Sequence, residues 1–147
     1  MRSVTCMLSL LTVSGGLLAA PVGITEGPER IALASAAVEA AFGTARSGGL
    51  LELRAAGEPN RLVPAGSWFG VVLWVDGKGE IRLSSQDALA FTCRARHDAE
   101  AAVIDAEAMG FPERNGVDLA ALRIHVAARL EPGSEALRWR CIAEVPA

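Results

Sequence analysis

The most regular pattern lies in the last third of the chain. Leu122, Ile124, Val126, Ala128 and Leu130 alternate with Arg123, His125, Ala127, Arg129 and Glu131. Beyond Pro132-Gly133-Ser134, Leu137, Trp139, Cys141, Ala143 and Val145 alternate with Arg138, Arg140, Ile142 and Glu144. Successive side chains of a strand point to opposite faces, so residues 122–145 predict a hairpin with one buried and one solvated face.

A second hairpin is expected over residues 68–84. Trp68 to Val75 is apolar on both parities, Asp76-Gly77-Lys78-Gly79 is turn chemistry, and Glu80-Ile81-Arg82-Leu83-Ser84 alternates. Its first strand is either covered on both faces or exposes Trp68 and Trp74. Leu50, Leu51 and Leu53 make a short strand, followed by the breaks Gly57-Glu58-Pro59-Asn60 and Pro64-Ala65-Gly66. Phe91 and Cys93 are spaced to continue the sheet.

Two stretches carry helical spacing instead. Ile31, Ala34, Val38, Ala41 and Phe42 recur at three and four residues between Pro28 and Gly48-Gly49, which predicts an N-terminal helix over 28–47. Ala99, Ala102, Val103, Ala106 and Met109 do the same before Gly110 and Phe111-Pro112, which predicts a helix over about 97–110. The expected fold is α+β: an antiparallel sheet of four to five strands with one helix packed across it and an N-terminal helix.

Length and composition fit a single domain over residues 21–147. At 147 residues, 51% hydrophobic and 21% charged, the chain can bury one modest core. A net charge of −3, with no run among its basic residues, argues against nucleic-acid binding by phosphate neutralisation. With no tyrosine and only Lys78 as lysine, tyrosine- and lysine-based catalysis lose nearly all their candidates.

Residues 1–20 place Arg2 before a mostly apolar stretch that ends in small residues ahead of Pro21. That order is the one of a secretory signal peptide cleaved after Ala19 or Ala20, giving a periplasmic or secreted protein whose only membrane contact is the transient leader. The alternative is a cytosolic protein whose N-terminus belongs to the core. Removing Cys6 leaves Cys93 and Cys141, a candidate disulfide that would stabilise by about 3–4 kcal/mol. Otherwise they are two buried thiols packing as small apolar groups.

Candidate chemistry is sparse. Cys93, His97, His125 and Cys141 have the residue types of a zinc site, but strand parity sends His125 and Cys141 to opposite faces. Ser84 or Ser85 with His97 or His125 lacks any nucleophile-elbow context. Asp98, Glu100, Asp105 and Glu107 read as the solvated face of the second helix. No cofactor motif is present. Arg123, His125, Arg129, Arg138 and Arg140, on the wet side of the last hairpin, form a possible partner face. A strand ending at Val145 could leave a free edge for strand addition.

Residues 66–130 resemble the periplasmic C-terminal domain of the TonB family. The resemblance rests on Val71-Val72-Leu73-Trp74-Val75 running into Asp76-Gly77-Lys78-Gly79-Glu80-Ile81, on Ser84-Ser85, on Ala101, Ala102 and Ala106 before Phe111-Pro112-Glu113, and on the strand around 122–130. The proline-rich spacer and membrane anchor of that family are absent, and the strand at 136–145 is additional. The resemblance implies a partner contacted along a sheet edge and assigns no functional residue. The functional expectation is a non-enzymatic binding module of the cell envelope. The alternative is a small enzyme or enzyme accessory with its site near Arg94, Arg96, His97 and His125.

Overall fold

The structure, a computed structural model, describes residues 5–10, 21–59, 61–62 and 66–145, with side chains for 21–59 and 66–145. The chain is built from strands, not from the α+β mixture that helical spacing suggested. In order they are β1 (Thr5–Leu10), β2 (Gly23–Glu26), β3 (Arg30–Ala34), β4 (Val38–Gly43), β5 (Gly49–Ala55), β6 (Arg61–Leu62), β7 (Gly70–Val75), β8 (Gly79–Ser84), β9 (Ala90–Asp98), β10 (Ala101–Arg114), β11 (Val117–Leu130) and β12 (Leu137–Glu144). Among the described residues the only helical segment is the 3-10 turn Ser85–Asp87. One antiparallel sheet runs β1-β12-β11-β10-β9, another β2-β3-β4-β5-β6, and β7-β8 is a separate hairpin.

The predicted N-terminal helix is the β3–β4 hairpin. Ser35 breaks the chain: its Oγ accepts from the Val38 and Ala37 amides and donates to the Val38 carbonyl. Ile31 and Leu33 are buried from β3, and Ala40 and Phe42 from β4. Two strands joined by a three-residue turn thus mimic helical spacing. The predicted second helix is the start of β10, where Ala102, Ile104, Ala106 and Ala108 are buried at period two. A turn at Ala99-Glu100, with Ala99 at φ 54°, joins it to β9. Phe111-Pro112 does not end the element. β10 passes through register shifts around Phe111 to the Asn115-Gly116 turn, where both residues take positive φ as a two-residue hairpin turn requires.

The two large sheets face one another across one core. Phe42 of β4 stacks at 5.8 Å on Trp139 of β12, and Trp68, entering ahead of β7, stacks on both Phe42 and Trp139. The same core holds many small residues: Ala40, Ala102, Ala106, Ala108 and Ala128 are all buried. Large rings mixed with alanines let the layers close at ordinary packing density.

The last hairpin follows the alternation up to Ala143, whereas Val145, expected inward, lies past the end of β12 and is exposed. Leu122, Ile124, Val126, Ala128 and Leu130 are buried, while Arg123, Arg138 and Arg140 are exposed. It is not the edge of its sheet, however, because β1 pairs along β12 from Thr5 opposite Ile142 to Leu10 opposite Leu137. β1 lies inside the stretch with leader character; the cleavage positions Ala19 and Ala20 lie outside the described residues.

The candidate disulfide does not form between Cys93 and Cys141. Register places them in one row, Cys93–Ala106–Val126–Cys141, with two strands between. Three strand spacings are about 14 Å, roughly twice the Cα separation a disulfide spans. Burial, followed by the charges of Asp105 and Glu26, pushes the Cys93 thiol up to about 11. A folded-state value above the unfolded one means that stability held below pH ~9 is lost as pH rises toward ~11. We expect this alkaline loss to be smaller in Cys93→Ala, measured as melting temperature between pH 8 and 11. Alkylation of Cys93 at pH 8, in a Cys141→Ser background, should run about a hundredfold slower than for an ordinary thiol.

Candidate functional site

Alternation and register together lay out the outer face of the β9–β12 sheet as a grid. One row is Arg96, Val103, Arg129 and Arg138; the next is Arg94, Asp105, Ala127 and Arg140; the third is Thr92, Glu107, His125 and Ile142. Ala127 is short where its neighbours are long. The middle of the face therefore sinks into a groove of about 720 Å³, its polar lining made chiefly by Arg94, Arg96, Asp105, Glu107, His125 and Arg140.

Most charges here are matched. Arg96 Nε lies 2.6 Å from Asp105, and Glu107 is shared by His125 at 3.4 Å and Arg123 at 3.7 Å. Arg129 donates to Asp98 and, at 3.0 Å, to Glu131, which also lies 3.7 Å from Arg138. The bond from Arg129 holds the Asp98 carboxyl below its ordinary range, and Asp98 and Glu131 push the Arg129 guanidinium up. Two arginines stand apart. Among the described residues no carboxylate lies within ion-pair reach of Arg94 or Arg140.

Within the β9–β12 strands Arg94 and Arg140 flank one row, with Asp105 and Ala127 between. Their backbones are about 14 Å apart, and guanidinium groups are rigid forks suited to carboxylate or phosphate. The outer face of the β2–β6 sheet differs: there Arg30 pairs with Glu52 and Arg54 with Glu39. Paired exposed charges of that kind contribute only about 0–1 kcal/mol each and serve as a solvated surface.

The structure gathers some of the sequence candidates and disperses others. His125 and Arg140 line the groove; Arg123, Arg129 and Arg138 share the face but are ion-paired. Of the proposed enzyme cluster, Arg94 and Arg96 join the groove, whereas His97 is exposed at the end of β9, opposite Ala102. Cys141 lies beside Val126 on the core side, and His125 faces outward, as parity required. Among the described residues no three His, Cys, Asp or Glu side chains converge on a common point. Ser85 is buried, accepting from the Trp68 amide at 2.8 Å, and Ser84 is bound to Asp87, so neither faces the groove.

No protein-family model, curated protein or solved structure matches this chain. The groove's own chemistry therefore carries the functional reading. Asp105 and Glu107 were not among the face residues anticipated, because 97–110 read as helix; Thr92 lies ahead of that stretch and was not singled out. The signal was present as period two: Thr92, Arg94 and Arg96 alternate with Phe91, Cys93 and Ala95.

Proposed function

We propose that this chain is a non-enzymatic binding module of the cell envelope, exported by its first 20 residues. Its outer β9–β12 face holds a ligand bearing at least two carboxylate or phosphate groups. The observation that carries this reading is the pair Arg94 and Arg140, set on opposite sides of the groove with no carboxylate partner among the described residues, while the groove's other charges are paired. Two guanidinium groups on backbones about 14 Å apart, with Asp105 between them paired to Arg96, suit an extended dianion. Each would bind through charge-assisted hydrogen bonds, the stronger class.

The enzyme alternative has one observation in its favour, His125 beside Glu107 inside the groove. Acid–base chemistry also needs a group to hold developing negative charge. Arg94 and Arg140 would supply that charge, but the groove lining among the described residues holds no serine or cysteine nucleophile, so binding is the better-supported role.

The test is calorimetric titration with a tri-glutamate peptide at low ionic strength, with tri-glutamine as control. We expect binding of tri-glutamate alone, weakening with salt. Arg94→Ala and Arg140→Ala should each reduce affinity about tenfold or more, with Arg54→Ala on the opposite sheet leaving it unchanged. Equal binding of both peptides, or indifference to both groove substitutions, would overturn the assignment.

A further inference from the structure

We infer that removal of residues 1–20 uncovers an edge along which two copies of this chain join through β12. The inference rests on the export reading above. β1 covers the outer edge of β12 over six paired positions, and among the described residues it is the only strand on that side. Its loss leaves backbone donors and acceptors unpaired along Leu137–Glu144, a template for another strand.

The occupant is a second copy because β12 is complementary to itself. In an antiparallel self-pair the two residue numbers of each facing pair have a constant sum. That sum must be even, or core-facing side chains of one copy would meet outward-facing ones of the other. Centring on residue 140 sets Arg140 against itself. Centring on residue 141 brings Arg138 opposite Glu144 of the second copy, twice by symmetry. It also sets Leu137 opposite Val145, Trp139 opposite Ala143 and Cys141 opposite Cys141 of the second copy, all in a core-facing row, so the mass is followed with reductant present to read the non-covalent pairing alone. Two features of the single chain then gain a partner. Val145 is 50% exposed, and Glu144 has no cation within ion-pair reach among the described residues. Across the seam the β9–β12 sheets become continuous, and each Arg140 faces Ile142 of the other copy, so each groove lies directly beside the second copy.

The experiment starts from the full coding sequence expressed in an exporting host, with the N-terminus mapped by mass spectrometry and the mass followed by sedimentation equilibrium. The expected result is a chain beginning at or near Pro21 that dimerises. Glu144→Arg should weaken the dimer about tenfold or more by setting like charges opposite each other twice, Arg138→Glu likewise, and Arg138→Glu with Glu144→Arg should restore it. A processed chain that stays monomeric overturns the edge pairing and leaves export intact. An unprocessed monomer overturns both, since β1 remains seated. A dimer indifferent to the charge exchange, processed or not, overturns the pairing through β12.

Discussion

Trp68→Ala should lower the stability of the folded chain by about 3–5 kcal/mol, the cost of deleting a fully packed tryptophan. The ring sits between the two sheets, 5.6 Å from Phe42, 5.8 Å from Trp139 and 6.1 Å from Phe91. Its indole N–H donates to the Ala45 carbonyl at 3.0 Å, so truncation also removes a hydrogen bond that ties the ring to the β4–β5 loop. A domain of this size commonly has a total stability of about 5–15 kcal/mol. The urea midpoint should therefore fall by roughly 2 M. Trp74→Ala is the internal control: its ring is 74% exposed on the β7–β8 hairpin, and its loss should move the midpoint hardly at all. A Trp68→Ala midpoint equal to that of Trp74→Ala would mean that the two sheets do not close on this ring.

Residue size explains how much of this fold could be read from the chain. The β11–β12 hairpin was legible because bulky Leu, Ile and Val mark its inner face and arginines its outer face. β10 was not, because alanine occupies both faces. Ala101, Ala102, Ala106 and Ala108 carry too little hydrophobic contrast to separate period two from period 3.6, and alanine favours helix intrinsically. The core overrode that preference: Ala102, Ala106 and Ala108 join Ile104 on the buried face of β10. Leu33 held the contrary signal. It is fully buried yet lies off the apolar face of the helix that Ile31, Val38 and Phe42 outlined. The Ala99-Glu100 turn had no glycine to announce it. Reading 97–110 as helix removed Asp105 and Glu107 from the sheet face, and with them the recognition that Arg94 and Arg140 share a row. The basic side of the last hairpin was legible; the groove it belongs to was not.

Gly49→Ala should be about as damaging as Trp68→Ala, through a different route. Gly48-Gly49, expected to stop a helix, instead close the β4–β5 connection. Gly49 has φ +99°, where an L side chain is strained, and an added Cβ would lie 2.4 Å from the Ser67 carbonyl oxygen. The obstacle is backbone and cannot rotate away. It belongs to the segment that delivers Trp68 to the core, held from both sides: Ala45 and Arg46 of the β4–β5 loop accept from Trp68 Nε1 and Ser85 Oγ, while Arg46 Nη1 donates to the Ala88 carbonyl at 2.9 Å. Relief of the clash must move either that loop or the Ser67–Trp68 segment, and each movement disturbs the same junction. Backbone strain of about 1–3 kcal/mol and overpacking of about 1–3 kcal/mol together give a loss of roughly 3–5 kcal/mol. Gly77→Ala separates the two contributions, because Gly77 also has positive φ, +73°, but nothing within 4 Å of the added Cβ. It should show the strain alone, about 1 kcal/mol. Equal urea midpoints for Gly49→Ala and Gly77→Ala would show that the Ser67–Gly49 approach is looser than the junction requires.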